Sequence, residues 1–362
     1  MSEWKECQLG DLITFQRGHD LPKTKMQGGK YPVVGSNGII GYHNEYTTEA
    51  PSITIGRSGN VGKPFLFKGR SWSHNTSLYI KEYKAVDPIF IYYFLQTLDL
   101  GNYAGGSAVP TLNRNHIHTL NVYVPPNIDE QRRIGAVLSV IDDKIELNTA
   151  INENLEQQAQ AIYAQMFIES TEESWKTGSL SDISVITMGQ SPKGDTFNET
   201  GEGAVFYQGR TDFGFRFPTR RLYTTEPKRI ALCGDALMSV RAPVGYLNVA
   251  YEECCIGRGL AAIHSKDNHQ SFVLYTLFTL KKQLDVFNGE GTVFGSINKE
   301  SLNSMEITIP PMELMDRFES IVSPIDRAIR NNYEEICRLQ AIRDTLLPKL
   351  MNGEIDVSAV KI

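Results

Sequence analysis

The chain has 362 residues, 41% of them hydrophobic and 22% charged, with a formal net charge of −6. That length allows two or three domains with real cores, and the acidic balance argues against a strong nucleic-acid binder acting alone. Cys7, Cys233, Cys254, Cys255 and Cys337 form no CxxC pair, which disfavours a zinc site or disulfide framework and points to reduced thiols in a cytoplasmic protein. The N-terminal residues carry no basic-then-apolar signal pattern, and no apolar run approaches a membrane span, so a soluble chain is expected.

In chain order, Trp4-Lys5 followed by Leu9-Gly-Asp-Leu-Ile13 opens a first region, 1–126. It reads as short strands such as Ser52-Ile-Thr-Ile55 and Ser77-Leu-Tyr-Ile80 with Gly and Pro between them. One helix is predicted over 88–98, and the region leaves through Leu120-Asn-Val-Tyr-Val-Pro-Pro126. Residues 127–170 change character. Ile134, Leu138, Ile141, Ile145, Ile151, Leu155, Ala159, Ile162 and Met166 fall mostly at three- and four-residue spacing, which marks a helix with one narrow apolar seam. This stretch holds 3 Lys/Arg against 8 Asp/Glu. Ser139-x-x-Asp142 resembles a capping box. It predicts a short helix, a break, and a long helix over about 140–168, roughly 43 Å at 1.5 Å per residue.

The pattern then returns. Trp175-Lys176 and Leu180-Ser-Asp-Ile-Ser184 open a region, 171–311, with a strand at Leu237-Met-Ser-Val240, a helix over 271–280 and an exit at Met305-Glu-Ile-Thr-Ile-Pro-Pro311. Residues 312–362 repeat the seam with Phe318, Val322, Ile325, Ile329, Ile336, Leu339, Leu346 and Leu350. Ser323-x-x-Asp326 is the matching helix start, with Pro324 expected at its first position, where a missing N–H is harmless. Gly106-Ser-Ala-Val-Pro-Thr-Leu-Asn113 matches Gly291-Thr-Val-Phe-Gly-Ser-Ile-Asn298 at an offset of 185, while the Trp-Lys starts lie 171 apart. Landmarks recurring in the same order define an internal repeat, the second copy longer by about 14 residues.

The expected fold is α+β. Two repeated α/β domains, 1–126 and 171–311, are separated by an antiparallel coiled coil of two long helices, from 127–170 and 312–362. Neither helix buries its seam alone, so the two are expected to pair. Asn148 and Asn332 interrupt the seams at matched positions. Either they are buried and fix register, or they face solvent or a partner.

Catalytic motifs fail one by one. Gly56-Arg-Ser-Gly-Asn-Val-Gly-Lys63 looks like a phosphate loop, but five residues separate Gly56 from Gly62, and Pro64 stands where Ser or Thr should hold magnesium. There is no G-x-G-x-x-G, H-E-x-x-H or G-x-S-x-G, and the Pro-Pro pairs lack the neighbours of an amino-methyltransferase motif. His116 and His118 alternate as on a strand, a spacing better read as surface or packed histidines than as a zinc pair. No nucleophile, base and oxyanion site is assembled, so a non-enzyme is expected.

The tandem Trp-Lys starts, the Val-Pro-Pro and Ile-Pro-Pro exits, and Asp129-Glu-Gln-Arg-Arg-Ile134 together form a specific pattern. So do the Ser-x-Ile-Asp and Ser-Pro-Ile-Asp segments and Leu346-Leu-Pro-Lys-Leu-Met-Asn-Gly-Glu-Ile355. In combination they resemble the specificity subunit of Type I restriction-modification enzymes over essentially the whole chain. The resemblance implies two target recognition domains, each reading one half of a split site in double-stranded DNA. It implies a coiled coil that sets the spacer and docks two modification (methyltransferase) subunits, which restriction (translocase) subunits could join. S-adenosylmethionine would bind the modification subunits, so no cofactor is expected in this chain. A structural adaptor for protein partners is the rival class.

Base reading needs Arg, Lys, Asn, Gln, Ser or Thr on exposed, glycine-braced loops. In the first domain Arg57, Ser58, Asn60 and Lys63 lie in a Gly-rich turn, and His74 and Asn75 in a second polar loop. In the second, Gln190, Ser191 and Lys193 lie in a Gly/Pro turn. Arg210, Arg216, Arg220 and Arg221 form the densest basic cluster, among Phe213, Phe215 and Phe217. Arg241 and Arg258 hold places like those of Arg57 and Asn75.

Overall fold

The structure is a computed structural model that describes residues 3–106, 110–289 and 295–361. The 107–109 and 291–294 parts of the repeated Gly-led segment, and residue 290 before it, lie outside the described residues. The chain forms two compact units, 1–149 with 333–362, and 150–332. Both mix strands and helices, as an α+β fold requires.

In the first unit, Lys5–Gln8 pairs antiparallel with Asn121–Val124. A four-stranded antiparallel sheet follows in the order Ile13–Arg17, Ser77–Tyr83, Ser52–Gly56, Pro64–Phe67. The second unit repeats both features. Lys176–Ser179 pairs with Glu306–Ile309, and the sheet runs Ser184–Met188, Leu260–Ser265, Ala236–Ser239, Leu247–Val249. Even single backbone bonds recur. Leu9 N–H donates to the Leu120 carbonyl and Leu180 N–H to that of Met305, both at 2.9 Å. Arg57 N–H donates to Thr76 (2.8 Å) and Val240 N–H to Gly259 (2.9 Å).

These bonds correct the register of the repeat by one residue. The counterpart of Arg57 is Val240, and Arg241 corresponds to Ser58, since Ser58 bridges Thr111 as Arg241 bridges Ser296. Asn75 and Arg258 do correspond, each two residues before the Ser77 and Leu260 positions that face Gly56 and Ser239.

The two domains differ in a second sheet. It has three strands in the first domain (Gly38–His43, Tyr31–Gly35, Trp72–Ser73) and five in the second. Most of the extra length of the second copy falls here, because the offset rises from 171 at Gly18/Gly189 to 183 at Gly56/Ser239. Hydroxyl pairs fill this part of the first domain, Thr48 with Ser73 (2.6 Å) and Ser52 with Ser71 (2.5 Å). The second domain places Val205, Leu237, Cys254, Ile256 and Ala262 in an apolar cluster there.

Each domain carries its predicted helix, Pro88–Gln96 and Gln270–Thr279. Asp87 caps the first through Ile89 and Phe90 N–H, with Pro88 in the first turn. Residues 114–118 form a short helix, not a strand. There His118 Nε2 accepts Phe15 N–H at 2.9 Å, so it is a packed, neutral imidazole.

The long helices are longer than expected. The first runs Ile128–Tyr163, 36 residues, and continues as a π-helical stretch, Ala164–Glu169. The second runs Met312–Met351, 40 residues. No break occurs at Ser139 or Ser323, and Pro324 lies inside the second helix rather than at its start. A proline removes one N–H from the ladder. The fully buried Phe318, Val322 and Ile329 on either side hold the helix together through that gap. Ser323 Oγ accepts from Arg327 (2.7 Å) instead of capping.

The two helices pair antiparallel within each unit. In the first, Asp142 meets Arg343, and Asn148 donates to Glu335 at 2.8 Å. In the second, Asn152 donates to the Ile329 carbonyl (3.1 Å) and accepts from Asn332 (2.9 Å). Asn148 is therefore buried and bonded across the pair, which favours the register-setting reading. Among the described residues, no helix is long and apolar enough to cross a membrane.

Candidate nucleic-acid interface

In the first domain the Ser52–Gly56 strand ends in the 56–63 turn. Gly56 N–H donates to the Lys63 carbonyl (3.1 Å) and Gly62 N–H to that of Gly56 (2.8 Å), closing the turn on itself. A Cβ on Gly56 would run into the Asn60 carbonyl oxygen, and Gly62 sits at φ +79 against Leu100 and Gly101, so both positions require glycine. Arg57 is fixed at two backbone points, the second being its carbonyl, which accepts Leu112 N–H at 2.8 Å. Asn60 and Lys63 are exposed, while Arg57 and Ser58 are half-buried. The Arg57–Thr76 bond ties the turn to the adjoining loop, where His74 Nδ1 lies 3.1 Å from Thr76 Oγ1 and Asn75 donates to Asp20. Burial holds the His74 imidazole below its ordinary value, leaving a neutral hydrogen-bonding group at neutral pH. All the first-domain candidates thus gather at one end of the four-stranded sheet.

Sequence reasoning missed Ser36 at this place. Its N–H donates to Thr76 Oγ1 at 3.3 Å, and its hydroxyl lies against Gly59. The signal was present, because Ser-Asn-Gly between apolar runs marks a hairpin turn.

The second domain brings its candidates together in two groups. Gln190 N–H donates to the Ile256 carbonyl (2.9 Å), and Arg258 N–H to Ser191 Oγ (3.3 Å), which sets Gln190, Ser191 and Arg258 side by side. Exposed Lys193 follows in the same turn. Arg210 and Arg241 line a cleft of about 460 Å³ with Gln208, Thr211 and Tyr246. The Arg210 guanidinium stacks 4.1 Å from the centre of the Tyr246 ring. Among the described residues, no carboxylate is paired with Arg210 or Arg241.

The remaining arginines of the cluster are engaged. Arg220 pairs with Glu252 (2.5 Å), and Arg221 with Asp212. Arg216 is only 4% exposed and reaches Glu156 and Asp326, at 2.9 and 2.5 Å. Its guanidinium faces the long helices, not solvent. Tyr246, 39% exposed, was not singled out from the sequence, since one tyrosine among glycines carries no pattern.

The profile of a family described as the Type I restriction modification DNA specificity domain matches residues 1–157 and again 172–339. This chain belongs to that family. The two matched stretches correspond to the two copies of the repeat. Among relatives of this specificity family, the MjaX type I restriction enzyme specificity subunit of Methanocaldococcus jannaschii is 30% identical over 332 residues, 84% of this chain and 77% of the relative. The MjaIX specificity subunit of the same organism is 24% identical over 306 residues, 74% and 69% of the two chains. The crystal structure of a Type I restriction-modification S subunit from M. genitalium superposes with a TM-score of 0.67 over 96% of each chain at 18% identity, a likeness of fold. The α+β repeat carried on paired long helices is therefore the fold of the specificity family.

Proposed function

We propose that this chain is the DNA-specificity subunit of a Type I restriction-modification complex and is itself not catalytic. Each domain reads one half of a bipartite site in double-stranded DNA, and the helix pair sets the unread spacer. Two modification subunits dock on the helices and bring S-adenosylmethionine, and restriction subunits join them where present. One observation carries the reading beyond family membership. The same end of the same sheet presents glycine-braced polar loops in both copies, at Arg57 and Asn75 and again at Arg241 and Arg258. Two such readers suit a site whose halves recur about 34 Å apart, one helical turn of DNA. The acidic chain leaves most phosphate affinity to its partners and supplies base selection.

The test is reconstitution with Type I modification subunits, followed by methylation of a random-sequence duplex library. Enrichment of a split motif with a fixed spacer is the expected result. An unsplit motif, or methylation that ignores this chain, would overturn the assignment.

A further inference from the structure

One loop of the second domain, 208–221, joins the candidate DNA cleft to the helices. At its start Arg210 lines the cleft with Arg241 and Tyr246. Asp212 closes the base of the loop, accepting Gln208 N–H at 2.7 Å, Gly209 N–H at 3.3 Å and the Arg221 guanidinium. Asn248 clasps Gly214 from both sides, accepting its N–H (3.2 Å) and donating to its carbonyl (3.1 Å). The Arg216 carbonyl accepts Val249 N–H at 2.8 Å. The backbone of the loop is thereby tied to the four-stranded sheet, and its apex side chain turns inward.

That side chain is Arg216. Its guanidinium donates to Glu156 on the first long helix, to Asp326 on the second, and to Tyr275 Oη (3.3 Å) on the domain's own helix. A buried arginine between two carboxylates is a poor source of stability, since apolar packing of the same volume often does as well or better. Its use lies in geometry, because a planar fork accepts its partners in few orientations. The first unit solves the same place differently. There Asp142, the repeat counterpart of Asp326, takes its guanidinium from Arg343, which belongs to the second long helix itself. Among the described residues, no arginine of the first domain's candidate loops reaches the helices; the first-domain cation that does is the exposed Lys68, 2.6 Å from Asp143.

We infer that Arg216 is a positioning residue that locks the second reading loop, and with it Arg210 and the cleft, to the helix pair, so that it governs recognition of one half-site only. The inference rests on the specificity reading above. The helices of the second unit thus hold the cleft at a set angle, and loosening the lock blurs that half of the site.

The experiment uses the full complex with modification subunits and measures methylation kcat/KM. Substrates are the cognate duplex, duplexes substituted in either half-site, and duplexes with the spacer changed by one base pair. Arg216→Met is expected to lower discrimination against substitutions in one half-site at least tenfold and to weaken the penalty for an altered spacer. Discrimination at the other half should stay at the wild-type level. Arg216→Lys should restore part of it, and Arg343→Met should leave that half-site unaffected. Because Arg216→Met strands two carboxylates, the charge-free variant Arg216→Met/Glu156→Gln/Asp326→Asn is measured beside it. Wild-type discrimination at both half-sites in these variants, or equal loss at both, overturns the inference. A wild-type complex with no bipartite preference removes the specificity reading itself, a distinguishable failure.

Discussion

Asp142 and Asp326 lie 184 residues apart at matched positions of the repeat, and each accepts a tyrosine hydroxyl from its own recognition domain. Tyr93 Oη donates to Asp142 at 2.7 Å, and Tyr275 Oη to Asp326 at 2.9 Å. Burial pushes both phenols up, so each stays a donor throughout the neutral range. This bond fastens a domain helix to a long helix in each unit. Tyr93→Phe and Tyr275→Phe should each lose about 1.5 kcal/mol, the worth of a hydrogen bond to a charged acceptor. Urea denaturation reads this directly, and losses near zero would show the aspartates satisfied by their other partners alone.

The packed imidazole of His118 gives a pH dependence with a defined sign. Burial first, then the nearby Lys84 and Arg114, hold its folded value below the ordinary one. The unfolded chain therefore binds a proton more readily than the folded chain. The contribution is present above the ordinary histidine value and is lost as pH falls through the lowered folded one. Stability should drop below pH 6.5, the ordinary value, and this part of the drop should vanish in His118→Gln. Histidine NMR titration gives the direct check: a His118 midpoint at or above the ordinary value contradicts it.

Gly56 is a packing requirement of the 56–63 turn. Gly56→Ala forces a Cβ onto the Asn60 carbonyl, so the turn must open. A loss of about 1–3 kcal/mol is expected from strain of this kind, with cognate methylation reduced as Arg57 moves. Unchanged melting and unchanged methylation would mean that the turn relaxes freely.

The arginines of the candidate interface should separate by their partners. Arg57→Ala and Arg241→Ala should impair cognate methylation by about 5–150-fold, the range for losing one specific base contact of about 1–3 kcal/mol, with assembly intact. Arg220→Ala and Arg221→Ala should do less, because Glu252 and Asp212 already neutralise those charges. Size-exclusion profiles and methylation rates on one cognate duplex compare all four. Equal effects across the set would discredit the distinction.

The repeat, the paired helices and the glycine-braced turns were legible because each is a local pattern or a recurrence. The helix starts were misread at Ser139 and Ser323. Ser-x-x-Asp is the same four letters at a helix start and inside a helix, and the difference lies in the buried contacts of the preceding turn, such as Phe318. Pro324 strengthened the error, since its cost inside a helix is offset only by tertiary packing. Arg216 was read as one of a solvent-facing cluster because its partners, Glu156 and Asp326, stand 60 and 110 residues away. No window of sequence contains all three. The one-residue shift between Arg57 and Arg241 was likewise invisible without the backbone bonds that set the register.

Residues 350–357 belong with residues 4–9. Leu350, Met351 and Val357 are buried in the same core as Trp4 and Leu9, and Gly353, at φ +77, packs on the Trp4 indole. The unit 150–332, by contrast, draws only on its own stretch of chain. During synthesis, the domain of residues 1–126 emerges before the unit 150–332, yet it must wait for residues 350–357 before its core closes. The unit 150–332 can finish while translation is still under way, so a premature stop between residues 333 and 350 would spare the second domain and leave the first one incomplete.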